Sequence, residues 1–173
     1  MVIWFRTEIL TTGVVCPAVP QTEKIHEREF VMNVYLDNCC MNRLFDDQSD
    51  RRIRFESEAV KVILSFCEQR HWHNIARFEI DQIPDEDRRK KLQLLSRQSD
   101  DVITIDKTIS ARAKKFEEQG IQAFDALHLA CAEDGADVFL TVDDNLLTQA
   151  LGIEDLKVSV NNPVLWLMKE GGA

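Results

Sequence analysis

Four short apolar runs stand apart in this 173-residue chain, and what lies between them leaves few choices of fold. NVYLD (33–37), DVITID (101–106), DVFLTV (137–142) and KVSV (157–160) have strand length and are rich in aliphatic or β-branched residues. The stretches between them read as helices. From Arg51 to Arg70 the residues Ile53, Phe55, Ala59, Val60, Ile63, Leu64 and Cys67 return with a helical period. PDEDRRKKLQLLSRQ (84–98) runs from proline and acids to bases, the order a helix dipole favours. KTISARAKKFEEQG (107–120) ends in Gly120, suited to a left-handed C-cap. DALHLACAED (125–134), DDNLLTQAL (143–151) and PVLWLMKE (163–170) read as three further helices. Strands separated by helices require a parallel sheet with right-handed crossovers and helices on both faces. The expected fold is α/β, a three-layer α/β/α sandwich around a central parallel sheet.

An apolar fraction of 45% fits one globular domain. Residues 1–31 differ, with two prolines and no clear periodicity, so the domain is expected over 32–170, with 1–31 a loosely ordered extension or a misassigned start. No apolar run approaches the roughly 18 residues of a membrane span, and Arg6 and Glu8 interrupt the N-terminal stretch, so a cytoplasmic protein with no membrane partner is expected. Five cysteines without a C-x-x-C pair indicate neither a disulfide framework nor a structural zinc site. The net charge of −9 argues against a generally basic nucleic-acid surface. Its distribution is uneven: eight acids and no Lys or Arg lie between Asp125 and Asp155, while bases gather in RRIR (51–54), RRKK (88–91) and ARAKK (111–115), which read as solvated helix faces ahead of a nucleic-acid track.

In an open parallel sheet, ligand sites form beyond the carboxyl ends of the strands. Asp37 follows the first strand and Asp143 the third, which brings both to that edge, and Asp125 opens the helix leading into the third strand. Each alone is open to an ordinary reading as helix cap or turn residue. Gathered together, the carboxylates would repel unless protons or a cation offset the repulsion, and oxygen donors without His or Cys select Mg²⁺ or Mn²⁺. Such an ion activates water and holds phosphate oxygens, which makes phosphodiester hydrolysis the natural reaction.

VYLDNCCMNRLFDD, GIQAFDALHLACAE, FLTVDDNLL and VSVNNPVLWL, in this order, resemble the PIN domain family, in particular its VapC-like bacterial ribonucleases, from about Met32 to Glu170. The resemblance implies a metal-dependent endoribonuclease acting on RNA, a homodimer and a small antitoxin partner. It implies Asp37, Asp125 and Asp143 as metal ligands, with Glu79 in ARFEIDQI as the remaining acid of the set. Asp144, Asn38 and Thr141 are supporting candidates, Thr141 as a hydrogen-bond donor to a ligand carboxylate. Two departures stand out: Asn38 replaces the usual Thr or Ser, and HWHNIARFEI (71–80) leaves little room for the strand expected before Glu79, as if that strand were shortened or lost around 72–78.

That shortened segment favours an alternative, a catalytically impaired PIN-fold protein acting as a binding module or a toxin remnant. A phosphatase ranks last, because Asp37 is followed by Asn38 and Cys39 rather than forming D-x-D. His128, on an apolar helix, reads as a core histidine; His71 and His73 lack a third ligand; Arg43 is open to pairing with a site carboxylate or to contacting RNA phosphate, and a structural ion pair is the preferred reading.

Overall fold

Strand β1 (Met32–Leu36) lies inside the sheet, and its alternating side chains divide the protein into two cores. Val34 and Leu36 enter one cluster and Tyr35 the other, as the two-residue period of a strand requires. The computed structural model describes residues 32–68, 72–75, 84–96 and 103–170. The other elements are α1 (Asn38–Arg43), α2 (Arg51–Glu68), β2 (Trp72–Ile75), α3 (Glu86–Ser96), α4 (Lys107–Glu118), α5 (Ala123–Gly135), β3 (Val138–Leu140), α6 (Asp144–Ala150), β4 (Ser159–Asn161) and α7 (Pro163–Glu170). The strand order is β2-β1-β3-β4, and every pairing is parallel.

One face of the sheet packs Val34, Leu36, Val138 and Leu140 against α1, α2, α3 and α7 through Met41, Ile63, Leu92 and Trp166. The other packs Tyr35 and Phe139 against α4, α5 and α6 through Phe116, Leu129 and Leu146. This is the α/β/α sandwich expected from the alternation. Leu36, Leu140, Phe139 and Phe116 are fully buried, and each contributes about 1.5–3 kcal/mol by leaving water.

Helix α4 is closed at both ends by its own sequence. The Asp106 carboxylate accepts from the Ile109 amide at 2.8 Å. At the other end Gly120 adopts φ 95°, its amide bonds Glu117 O at 2.9 Å, and the Ile121 amide returns to Phe116 O at 3.1 Å. This double return is a Schellman closure, with Ile121 and Phe116 in the same core cluster.

One expectation about the sheet needs correction, and one alternative is resolved. Residues 103–106 of DVITID are not a strand: Ile103 and Ile105 pack against the core, and the chain is then committed to capping α4 through Asp106. The strand expected to be shortened or lost around 72–78 is present and short: β2 has four residues, in register with β1 from Met32↔Trp72 to Tyr35↔Ile75. Among the described residues β2 is an edge strand rather than an interior one. Residues 1–31, His71 and Glu79 lie outside the described residues.

Candidate active site

Parallel register sets the site. Leu36 pairs with Leu140, so the residues just past each strand, Asp37 and Thr141, emerge side by side at the carboxyl edge. The Asp37 amide extends the ladder by donating to Leu140 O at 3.0 Å. Asp37 stands at the N-cap position of α1 but makes no side-chain cap bond. Its Oδ2 instead accepts from the Thr141 hydroxyl and the Cys39 thiol, each at 2.7 Å. Asp37 is 7% exposed and Thr141 is fully buried, so this carboxylate is held by two donors in a nearly dry setting.

Thr141 also ties in the second acid. Its Oγ1 accepts from the Asp143 amide at 3.1 Å, and the Cys39 sulfur accepts from the Val142 amide at 3.3 Å. Asp143 is the N-cap of α6: its Oδ1 accepts from the amides of Asn145 at 2.8 Å and Leu146 at 3.2 Å. The other oxygens, Asp37 Oδ1 and Asp143 Oδ2, accept no hydrogen bond among the described residues. Each acid is thus fixed by one oxygen and keeps the other available.

Asp125 lies in the first turn of α5, whose N-cap is Gln122 rather than Asp125, and it is half-buried there. A carboxylate in a first turn suits the helix dipole. The structure joins Asp37 and Asp143 through Thr141, and among the described residues no three His, Cys, Asp or Glu side chains are grouped to hold a metal ion. Asn38 is buried in the first turn of α1. His128 is buried in α5 with Nδ1 2.7 Å from the Tyr35 hydroxyl, a core position.

Asp143 opens onto a cleft of about 860 Å³ whose wall includes Cys39, Arg43, Arg52, Arg88 and Asp144. Sequence reasoning named only Arg43 and Asp144 of the network that frames it. Arg52 bridges both Asp144 oxygens at 2.7 Å, and its Nε donates to Glu56 at 2.8 Å. Arg43 reaches the other Glu56 oxygen at 2.6 Å and Asp46 at 3.0 Å, and Arg88 reaches Asp46 at 2.6 Å. Glu56 is 2% exposed, and its burial is tolerated because two guanidiniums share it. The Asp144 hydrogen bond, then that of Glu56, raises the Arg52 pKa, and Arg52 in turn holds the Asp144 carboxyl below the usual range. Burial opposes the Arg43 charge, but Asp46 and Glu56 outweigh it and raise its pKa. Behind the cleft, burial first and the neighbouring Cys39 second push the Cys40 thiol well above its ordinary value, which makes it inert.

The donor set fits a hard cation. Mg²⁺ keeps several waters and is held by one or two protein carboxylates together with substrate phosphate, and Asp37 and Asp143 each keep one oxygen for such a role. A model of the PIN domain family matches residues 34–150 of the chain. No curated protein and no solved structure matches it.

Proposed function

The chain belongs to the PIN domain family, whose members are in general metal-dependent nucleases, and on that premise we propose that it is a Mg²⁺- or Mn²⁺-dependent endoribonuclease of the VapC-like toxin type. The observation that carries the reading is the Asp37–Thr141–Asp143 linkage at the carboxyl edge of the sheet. Asp37, Asp125, Asp143 and Glu79 would hold the ion, which when bound supplies a water of lowered pKa and charge neutralisation at a phosphate. The chain's own part is positioning. Thr141 and Cys39 fix Oδ2 of Asp37, which leaves Oδ1 for the ligand side. The α6 amides fix Oδ1 of Asp143 in the same way. Asp144 acts through Arg52, which it holds at the cleft wall, and Asn38 follows Asp37 as a buried residue of α1.

The substrate is RNA; a homodimer and a small antitoxin complete the reading, in the cytoplasm. No helix among the described residues is long and apolar enough to cross a membrane. A second reading has an observation of its own: the strand β2, only four residues long, suits a catalytically impaired PIN-fold protein that binds without cutting. Calorimetric titration with Mn²⁺ of wild type and Asp37→Asn, with cleavage of a mixed RNA pool followed in parallel, separates the two. Saturable Mn²⁺ binding lost in Asp37→Asn, with EDTA-sensitive cleavage, supports the nuclease. A folded wild type that neither binds Mn²⁺ nor cuts RNA supports the binding module.

A further inference from the structure

We propose that Arg43 and Arg88 form a phosphate-binding clamp that holds the RNA strand in the cleft beside Asp143. Both side chains line that cleft and are about one-quarter exposed. Each guanidinium is anchored from behind. Arg43 Nε is bound to Glu56 at 2.6 Å and its Nη1 to Asp46 at 3.0 Å. Arg88 Nε donates to Asn42 Oδ1 at 3.0 Å, and its Nη2 to Asn42 O at 3.1 Å and Asp46 Oδ1 at 2.6 Å. That leaves Arg43 Nη2 and Arg88 Nη1, two N–H donors each, with no acceptor among the described residues.

Both arginines grip Asp46, so their guanidinium groups are held in one neighbourhood and their rotamers are fixed before any ligand arrives. Asp46, Glu56 and Asp144 balance Arg43, Arg52 and Arg88 one for one; of the further cleft carboxylates, Asp85 accepts from the Arg88 amide at 3.0 Å and Asp143 is the proposed metal side of the cleft. Planar donors held in this way match phosphate oxygens better than a flexible ammonium does. Phosphate is favoured over a protein carboxylate because the clamp shares its cleft with Asp143, past which a strand bound for hydrolysis has to run. The proposal rests on the nuclease reading for the identity of that strand, but not for its test.

The test is equilibrium binding of a labelled single-stranded RNA of mixed sequence, in EDTA, over a range of salt concentrations. Each phosphate contact to a single strand adds about 0.7 to the slope of log K against log salt, and hence about fivefold in affinity at 0.1 M relative to 1 M. Arg88→Gln should lower the slope by about 0.7 and the affinity by about fivefold at 0.1 M. Arg88→Lys, which keeps the charge and a pair with Asp46, covers the case where Arg88→Gln misfolds; it should keep most of the slope while losing affinity with the fork. A folded Arg88→Gln or Arg88→Lys protein with wild-type affinity and slope overturns the clamp. So does loss, in either variant, of binding to an acidic peptide while RNA binding is unchanged. The two readings fail separately: metal-free binding that depends on Arg88, without cleavage when Mn²⁺ is added, keeps the clamp and removes the nuclease, whereas cleavage with binding indifferent to Arg88 does the reverse.

Discussion

Replacing Thr141 by Val removes one hydroxyl and almost nothing else, because the side chains have nearly the same shape and Thr141 is fully buried in the wild type. The hydroxyl donates to the Asp37 carboxylate at 2.7 Å and accepts from the Asp143 amide at 3.1 Å. A hydrogen bond to a charged group contributes about 1.5–3 kcal/mol. The Asp143 amide loses its acceptor as well, while Cys39 still donates to Asp37. The expected loss is therefore about 2 kcal/mol, a fall in Tm of about 4–8 °C for a chain of this size. Urea denaturation followed by circular dichroism measures it. Thr141→Ser keeps the hydroxyl and should lose only about 0.8 kcal/mol with its methyl group. Combining Thr141→Val with Cys39→Ala strips both donors from one buried oxygen, so the double variant should be worse than the sum of the singles by about 1 kcal/mol or more. A Thr141→Val protein within about 0.5 kcal/mol of wild type, the level of an ordinary surface change, would refute the reasoning.

Glu56→Gln takes the shared charge from Arg43 and Arg52; because those arginines keep Asp46 and Asp144, the expected cost is about 2–4 kcal/mol, below that of a fully orphaned pair, measured by the same denaturation. Gly120→Ala should cost about 1–2 kcal/mol from backbone strain at φ 95° alone, since a Cβ there meets nothing within 4 Å, and Gly120→Asn should recover part of it. Arg52 lowers the Asp144 pKa, so this pair's contribution to stability is present above the unfolded carboxyl's value of about 3.9 and is lost as pH falls through the lower folded value. Carboxyl chemical shifts read by NMR should place the Asp144 midpoint below about 3.9 in wild type and higher in Arg52→Gln; equal midpoints would remove the pair from the account.

Much of the fold was written in local patterns. The helix expected over 163–170 is α7, opened by Pro163 where a missing N–H does no harm, and Gly120 closes α4 as its position implied. DVITID misled because β-branched composition describes extended chain as well as strand, and Asp106 commits the segment's end to a helix cap. Helix α1 went unexpected: NCCMNR carries no apolar period of its own, and Met41 and Cys40 are held by the tertiary core. Of the site, Asp37 and Asp143 were legible because strand ends point at them. Cys39 and the Arg52–Asp144 and Arg43–Glu56 pairs were not, since ion pairs 92 and 13 residues apart leave no periodic trace. Glu56 was hidden in the opposite way: a charge inside an amphipathic helix reads as surface until its two arginines are seen.

The acids that Thr141 links come from opposite ends of the domain, yet their placement depends on three consecutive rungs, Val34↔Val138, Tyr35↔Phe139 and Leu36↔Leu140. A slip of one rung would exchange the two faces of the strand, sending Tyr35 toward the core of Leu36 and moving Asp37 off Thr141. The connection between β1 and β3 carries β2 and helices α1 to α5, so only the turns that join those elements are free of such a constraint, because lengthening a loop costs little once its ends are pinned. Gain or loss of residues in such a turn and a preserved carboxylate geometry are therefore compatible, whereas a single residue added between Val34 and Asp37, or between Val138 and Thr141, is not.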